Sequence, residues 1–372
     1  MGKCYKNNII FMLYKVGKVM KMSFKVKEEN VRILGRTKEI DEVRYINYSC
    51  SGIEFEFIGK SASVVLCTDS SKWEDIFKAW IAVFIDDEDT PSRRISLESD
   101  ENIYKLHESD TSRNIKIKLM KMSEAAFSKV GIKEIIIEGE DGLIPTKSKE
   151  RRIEFIGDSI TCGYGIEGVF EKDVFNTTQE NPWEAYAAKT ARHFNADFNC
   201  VSWSGIGVIS SWTEEDTPNS EWLMPMLYKY ADAALDNDLG KKEFEIWNNN
   251  LFVPNLIVVN LGTNDTSYTK DIKERIDMFI DGYYNFLEQI RNSNPNVEII
   301  CTLGAMGHEL CPAVEAAVTK FKKNTGDVKV HTHFYEVQLE SDGIGSDYHP
   351  SLRTHEKMSK TLISKIKEVM KW

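Results

Sequence analysis

The sequence predicts an α/β protein in which an all-β domain precedes a domain built on a parallel sheet. About the first 140 residues contain short runs that alternate apolar and charged side chains, whereas apolar runs alternate with helical patterns beyond residue 150. The short polar segment 145–150 lies between the two regions and is typical of a linker. We therefore expect an N-terminal extension over residues 1–25, a β-sandwich domain over 26–145 and an α/β domain over 151–372.

Composition and charge restrict the classes of protein to which this chain can belong. The 372 residues are 42% hydrophobic and 28% charged, which is ordinary globular usage and excludes global disorder. Forty-seven Lys and Arg against 58 Asp and Glu give a net charge of −11. This excess of negative charge argues against a nucleic acid or an anionic membrane as a partner, and it leaves a homo-oligomer open.

The cysteines and the N-terminal segment indicate the cellular compartment in which the protein is expected. The seven Cys are scattered without a C-x-x-C pair, which fits neither a disulfide framework nor a zinc site and suits a reducing compartment. The apolar run Ile9–Tyr14 follows Lys3 and Lys6, but Lys15 interrupts it and no small-residue cleavage site follows. No stretch approaches the ~18 uncharged apolar residues of a membrane-spanning helix. We expect a cytoplasmic protein, with secretion through a weak signal peptide as the alternative.

In the N-terminal region, patterns with a period of two predict β-strands. Apolar and charged residues alternate over Ile53–Phe57 and again over Ile115–Leu119, which puts one row of side chains in a core and the other in water. Several short strands separated by acidic or Gly-containing turns favour a two-sheet sandwich. Further β-rich runs are residues 63–66, 79–85 and 135–137.

In the C-terminal region, strands and helices alternate. Ile153–Gly157 is predicted to be a strand that ends at a turn, and Leu256–Asn260 is an apolar run of the buried-strand type. Such alternation builds a parallel sheet covered on both faces, whose ligands bind at the carboxyl ends of the strands. The other predicted strands are 198–201, 297–303 and 328–337, and the predicted helices are 182–194, 272–290 and 351–370.

Two of the loops that follow these strands carry candidate catalytic groups. Ser159, in Gly157-Asp158-Ser159, lies where a strand meets a turn, so rigid backbone can aim its hydroxyl into the ligand crevice. A helical turn that begins there would add free N–H groups for developing negative charge. Gly205 follows the strand 198–201 and has no Cβ, so its N–H can approach a reacting group closely. Plain turn chemistry explains both loops equally well.

A third loop and a late histidine complete the candidates. Asn264 follows the strand Leu256–Asn260 and carries an amide donor suited to an oxyanion, while the adjacent Asp265 also fits a helix cap. His349 is the only His with an Asp two residues before it and a Pro directly after it.

Two further histidines are the remaining metal candidates. His331 and His333 share one face of a predicted strand, but no third ligand is signalled. The sequence therefore predicts no metal site.

Taken together, these blocks resemble a known family. Gly157-Asp158-Ser159, Gly205, Gly262-Thr263-Asn264-Asp265 and Asp347-x-His349-Pro350 occur in the order of the four sequence blocks of the SGNH (GDSL-type) hydrolases. The segment Arg152–Tyr164, the Asp-x-His-Pro-Ser ending and the preceding β-domain resemble more narrowly carbohydrate esterase family 2, the acetylxylan esterases and related sugar O-deacetylases. The resemblance implies a jelly-roll-like β-domain followed by a flavodoxin-like SGNH hydrolase domain.

The resemblance also implies a role for each matching residue. Ser159 would be the nucleophile, His349 the general base, and Asp347 the carboxylate that orients the imidazole. The N–H groups of Ser159 and Gly205 and the amide of Asn264 would form the oxyanion hole. No metal or organic cofactor is required.

The sequence departs from the common SGNH pattern at two positions. Asp347 lies two residues before His349 rather than three, a spacing that family 2 shares, and some members of that family orient their His with a backbone carbonyl instead. Tyr348 stands where family 2 often has Trp, which alters a candidate sugar-stacking surface.

The expected function is that of a serine esterase that removes O-acetyl groups from plant-type polysaccharides or oligosaccharides such as xylan and glucomannan. Trp212 and Tyr348 would offer aromatic faces to the acetylated carbohydrate. One alternative is an SGNH lipase or thioesterase that acts on other acyl esters. Another is a carbohydrate-binding protein whose hydrolase site is inactive.

Overall fold

Residues 19–372 are described by the computed structural model, and residues 20–145 form an antiparallel sheet of ten strands. The long strands β5, β8 and β9 lie side by side at its centre in the order β9-β5-β8, and every pairing is antiparallel. The strands are β1 (Met20–Phe24), β2 (Arg32–Leu34), β3 (Lys38–Ile40), β4 (Val43–Tyr45), β5 (Gly52–Thr68), β6 (Trp80–Ile85), β7 (Arg93–Ser96), β8 (Glu101–Lys121), β9 (Val130–Gly139) and β10 (Ile144–Pro145).

The alternation of apolar and charged residues determines which face of this sheet forms the core. Ile53, Phe55 and Phe57 of β5 lie opposite Leu119, Ile117 and Ile115 of β8, and all six side chains are fully buried in one apolar cluster. The register of β5 against its neighbours shifts at Gly59–Ser61, where an irregularity lets the strand bend. The predicted all-β domain is confirmed, and hydrogen bonds join its described strands into one curled antiparallel sheet. The jelly-roll connectivity of these strands stays a prediction.

At its N-terminal boundary, the prediction of an extension over 1–25 is wrong in part. Residues 20–24 form β1, which pairs with Ile135–Gly139 of β9. Met22 and Phe24 pack against the core of the sheet, because alternate residues of a paired strand share one face. The apolar run 9–14 that bears on secretion lies outside the described residues.

Residues 151–370 form a parallel sheet and its covering helices. Its strand order is β12-β11-β13-β14-β15, which is the flavodoxin-like order with a reversal between β12 and β13 around the first strand. The elements are β11 (Arg151–Gly157), α1 (Ser159–Cys162), α2 (Tyr186–His193), β12 (Ala196–Ser202), α3 (Met224–Tyr228), α4 (Ala233–Asp238), β13 (Leu256–Asn260), α5 (Thr266–Thr269), α6 (Lys273–Ser293), β14 (Glu298–Leu303), α7 (Cys311–Thr325), β15 (Val330–Phe334) and α8 (Leu352–Met370).

Helices cover both faces of this sheet, as predicted. On one face, Phe279 and Tyr283 of α6 and Val318 of α7 pack on alternate strand residues. On the other face, Tyr186 of α2 and Leu362 of α8 pack on the intervening ones. The helix predicted over 182–194 begins only at Tyr186, because residues 181–185 form hydrogen-bonded turns instead. No helix within residues 19–372 is both long and apolar enough to cross a membrane.

Buried charges join the two sheets. Arg36, which follows β2, is 1% exposed and reaches across to the α/β half of the chain. Its guanidinium donates to the carbonyl oxygens of Tyr228 (2.8 Å) and Tyr230 (3.0 Å), lies 3.4 Å from a carboxylate oxygen of Glu154, and packs over the ring of Trp247. These contacts fix the position of one sheet relative to the other.

We predict that Arg36→Met destabilises the protein by about 3–5 kcal/mol, because it removes the cationic partner of the buried Glu154 carboxylate and leaves two carbonyls without donors. The measurement is the free energy of unfolding in urea. Lys105→Met is the matched control, since Lys105 pairs with Glu108 on the surface and its loss should cost within about 0.5 kcal/mol. Equal effects of the two substitutions would contradict the prediction.

Candidate active site

Three loops start at the same level of the parallel sheet. Gly157, the last residue of β11, lies in register with Ser202 at the end of β12 and with Asn260 at the end of β13. The loops after these strands carry Ser159, Gly205 and Asn264, so the sheet brings the three sequence blocks to one edge. The order of the strands reverses here, between β12 and β13, and ligands of such sheets bind at this position.

Ser159 is the first residue of the short helix α1. The carboxylate of Asp158 caps this helix by accepting the N–H of Ile160 at 3.0 Å, and the N–H of Ser159 has no intrahelical acceptor. Gly157 is required directly before this turn, because a Cβ there would lie 2.0 Å from the hydroxyl oxygen of Thr161. Burial raises the pKa of Asp158 to about 7.

His349 reaches Ser159 from the turn before α8. Its Nε2 lies 2.8 Å from the Ser159 hydroxyl oxygen. Its Nδ1 lies 3.0 Å from the carbonyl oxygen of Asp347 and 3.2 Å from that of Ser346. Because carbonyl oxygens only accept, Nδ1 carries the proton and Nε2 presents its lone pair to the serine. The site therefore contains a serine hydroxyl hydrogen-bonded to a base in the correct tautomer.

The predicted contact between the Asp347 carboxylate and the imidazole is wrong. Asp347 and Tyr348 both adopt left-handed backbone conformations, with φ of 51° and 63°. This turn directs the carbonyl of Asp347 at His349, while the carboxylate accepts a hydrogen bond from the hydroxyl of Tyr164 at 2.8 Å. His349 itself is extended, as the following Pro350 requires.

Tyr164 is a site residue that the sequence analysis missed. Its ring lies between Phe175, with ring centroids 3.5 Å apart, and the imidazole of His349 at 4.4 Å. Burial and the adjacent Asp347 carboxylate raise the pKa of the Tyr164 phenol, which therefore stays a donor. The side chain supports the outer face of the imidazole and holds the carboxylate of Asp347 away from it.

Further hydrogen-bond donors come from Asn264 and from the loop between β12 and α3, residues 203–223, which we call the Gly205 loop. Gly205 has a φ of 76°, and its N–H has no acceptor among the described residues. The Asn264 amide donates one hydrogen to the carbonyl of Ile206 at 2.9 Å, which ties the two loops together. Its second amide hydrogen and the N–H of Ser159 stay available at the same edge of the sheet.

Asp265 anchors the Gly205 loop, and its alternative reading as a helix cap is wrong. No side-chain capping bond forms at α5. The buried carboxylate instead accepts the N–H groups of Val208, Ile209 and Ser210 at 2.8–3.1 Å. Burial raises its pKa to about 6 despite these donors. The anchor fixes the segment that follows Gly205.

The predicted aromatic faces are exposed next to this site. Trp212 is 55% exposed, and its backbone N–H donates to the carbonyl of Gly205 at 2.7 Å. Tyr348 is 43% exposed and directly precedes His349. Trp203 and Trp222 stack on each other at 5.6 Å and pack against the core instead. Roles of Trp212 and Tyr348 in substrate binding stay a prediction.

Possible metal ligands lie in two places. His331 contacts the carboxylate of Glu298, and His333 contacts the hydroxyl of Thr361, so the two rings have separate partners. Within residues 19–372, the side chains of Glu124, Cys162 and Glu180 form a buried group whose ligand atoms lie within 4.8 Å of one another. Burial raises the pKa of all three groups, which disfavours the anionic forms that would bind a metal.

Comparisons with known proteins agree with this architecture. The GDSL-like Lipase/Acylhydrolase family matches residues 155–357, and the Carbohydrate esterase 2 N-terminal family matches residues 33–146. The chain is 31% identical to the Cellulase/esterase CelE of Acetivibrio thermocellus over 87% of its own length, but it spans only 38% of that protein. It is 26% identical to an acetylxylan esterase / glucomannan deacetylase of Cellvibrio japonicus, over 93% of this chain and 90% of that one.

Solved structures share the fold over more than nine-tenths of the chain. An acetyl xylan esterase from the rumen bacterium Butyrivibrio proteoclasticus superposes with a TM-score of 0.84 at 24% identity, over 95% of this chain and 99% of that one. A family two carbohydrate esterase from Clostridium thermocellum, in complex with cellohexaose, has a TM-score of 0.79 at 31% identity, over 92% and 99% of the two chains. The chain belongs to the GDSL-like lipase/acylhydrolases and, among them, to the family two carbohydrate esterases.

Proposed function

We propose that this protein is a serine esterase that removes O-acetyl groups from plant-type polysaccharides or oligosaccharides such as xylan and glucomannan. The observation that carries the proposal is the 2.8 Å contact between the Ser159 hydroxyl and His349 Nε2. Beside it, the N–H groups of Ser159 and Gly205 have no acceptor within residues 19–372. A free serine hydroxyl is a weak nucleophile, and the adjacent imidazole supplies the base that it needs.

In the first half of the reaction, His349 Nε2 takes the proton of Ser159 as the serine oxygen attacks the acetyl carbonyl carbon. The oxyanion that forms accepts hydrogen bonds from the N–H groups of Ser159 and Gly205 and from the amide of Asn264. One such donor typically contributes ~3–4 kcal/mol to lowering the barrier. The intermediate then collapses, the bond to the sugar oxygen breaks, and His349 returns the proton to the leaving hydroxyl.

In the second half, water hydrolyses the acetyl-serine. His349 takes a proton from the water as it attacks the acyl carbon, and the same donors hold the second oxyanion. Collapse of this intermediate restores the Ser159 hydroxyl with the proton from His349 and releases acetate. The carbonyl oxygens of Asp347 and Ser346 keep Nδ1 protonated through both halves, so the Nε2 lone pair stays available.

The residues at the rim of the site favour a carbohydrate as the substrate over a lipid. Trp212 and Tyr348 expose flat aromatic faces of the kind that pack against sugar rings. The segment Thr213–Thr217 beside Trp212 is polar and acidic, which suits a neutral hydrated substrate better than an acyl chain. The relatives named acetylxylan esterase and glucomannan deacetylase point to the same substrate class. A lipase or thioesterase is the second candidate function.

Release of acetate from acetylated xylan and glucomannan tests the proposal directly. We expect the protein to release acetate from both polymers and to hydrolyse p-nitrophenyl acetate faster than p-nitrophenyl octanoate. Ser159→Ala should lower kcat by ~10³-fold or more with an unchanged circular dichroism spectrum, because it removes the nucleophile alone. Preference for the octanoate ester would favour the lipase. Sugar binding without any ester hydrolysis would favour a binding protein.

The geometry around His349 predicts a small effect of Asp347→Asn. The Asp347 carbonyl, and not its carboxylate, contacts Nδ1, so the substitution removes no direct contact with the base. We expect a loss of less than about tenfold in kcat, against the ~10⁴ typical of a triad Asp that sets the tautomer. Steady-state kinetics on p-nitrophenyl acetate measures this. A loss of several hundred-fold in a folded variant would restore the carboxylate to the catalytic set.

The pKa of His349 predicts the pH dependence of the reaction. Burial lowers this pKa to about 4, and the two carbonyl acceptors and the Asp347 charge oppose the shift. Because the neutral imidazole is the base and a lowered pKa keeps it neutral in mild acid, kcat/KM should stay level down to about pH 5 and halve near pH 4. A pH profile with circular dichroism at each point checks this. A midpoint near the ordinary value of ~6.5 in folded protein would contradict it.

A further inference from the structure

The Gly205 loop is held by a residue of the other sheet. Glu124 lies in the segment between β8 and β9, is fully buried, and reaches the loop that follows β12. One of its carboxylate oxygens accepts the backbone N–H of Ser204 at 2.6 Å, and the other accepts the hydroxyl of Ser204. The carboxylate therefore holds both polar groups of the residue directly before Gly205.

These bonds determine where the N–H of Gly205 points. Glu124 fixes the peptide group that precedes Ser204, and the backbone N–H of Trp212 fixes the one after Gly205 by donating to its carbonyl at 2.7 Å. The peptide group between Ser204 and Gly205 lies between these two fixed peptide groups, so the direction of the Gly205 N–H is fixed as well. Without the first anchor, the contacts of Trp212, Asn264 and Asp265 would still hold the residues from Gly205 onward, but both contacts to Ser204 would be lost.

Glu124 is itself rigidly placed. Its N–H donates to a carboxylate oxygen of Glu180 at 3.3 Å, and its carbonyl accepts from the buried Lys121 ammonium at 2.8 Å. The thiol of Cys162, at the end of α1, lies 3.7 Å from the oxygen that binds the Ser204 N–H. The carboxyl group thus lies between the nucleophile helix and the Gly205 loop and contacts both.

We propose that Glu124 is a positioning residue for the reaction, which aligns the Gly205 N–H for the oxyanion through Ser204. This inference rests on the proposed esterase function. It assigns the antiparallel β-sheet half of the chain a part in catalysis, since that half supplies the anchor while the α/β half supplies every group that touches the acetyl ester. Displacement of a positioned group by about 1 Å can cost ~10²-fold in rate.

The test compares kcat and KM for p-nitrophenyl acetate in five variants of the full chain. Glu124→Ala should lower kcat by ~10²-fold and change KM by less than about threefold, because the lost interaction acts only in the transition state. Glu124→Gln keeps an oxygen for the Ser204 N–H and should recover kcat to within about tenfold. Ser204→Ala keeps the N–H contact but loses the hydroxyl contact, so a loss of about tenfold is expected.

Glu180→Gln is the matched control. It changes a neighbouring buried carboxyl that does not contact Ser204, and its amide oxygen can still accept the Glu124 N–H, so kcat should stay within about threefold. A double variant Glu124→Ala/Ser204→Ala should be no slower than Glu124→Ala alone, since the two residues act through one contact.

Several outcomes would overturn the inference. These are a folded Glu124→Ala with near-normal kcat, an effect confined to KM, or a loss in Glu180→Gln equal to that in Glu124→Ala. If Glu124→Ala does not fold, an unchanged kcat in Ser204→Ala overturns it. Failure of the proposed function is separate, because the unmodified protein itself would then show no hydrolysis of p-nitrophenyl acetate.

Discussion

The parallel register of β11, β12 and β13 is the constraint on which the site depends. Because Gly157 is in register with both Ser202 and Asn260, three loops leave the sheet at one level and on either side of the reversal in strand order. Ser159, Gly205 and Asn264 are about 100 residues apart from first to last in the chain. Only the hydrogen-bonded ladders bring their donors to one edge, and those ladders are stabilised by apolar helices packed on both faces.

The base is held by backbone where a carboxylate is the usual partner. Two consecutive left-handed residues, Asp347 and Tyr348, turn their peptide groups so that a carbonyl faces Nδ1 of His349. Such conformations cost free energy in residues other than glycine and persist only where the surroundings enforce them. Here Tyr164 binds the Asp347 side chain, and Gln338 donates to the carbonyl of Tyr348 at 2.7 Å. A carbonyl fixes the tautomer as a carboxylate would, but it adds no negative charge to stabilise the imidazolium.

The two sheets function as one unit. Arg36 crosses between them with its charge buried, and Lys38 pairs with Asp236 in the same way at 2.5 Å with both side chains fully buried. Buried ion pairs of this kind add little net stability over well-packed apolar residues, yet they tolerate no displacement, because a separated pair leaves a bare charge in the interior. The segment with Glu124 makes a further contact between the two sheets, because its carboxylate binds Ser204 in the loop after β12.

The sequence by itself determined the division into an all-β region and an α/β region and the main strands and helices that carry the candidate site. Alternation with a period of two predicted the facing rows of β5 and β8, helical spacing predicted α6 and α8, and the blocks around Ser159, Gly205, Asn264 and His349 are local patterns that each follow one element. Short-range patterns carry this information because strands, helices and turns are fixed by neighbouring residues. Only the tertiary structure decided which atoms meet. The carboxylate of Asp347 turns to Tyr164 instead of His349, Asp265 binds the Gly205 loop instead of capping α5, and Glu124 reaches a serine that lies 80 residues further along the chain. No local pattern encodes these contacts, because each depends on how two distant segments pack once the sheets have formed.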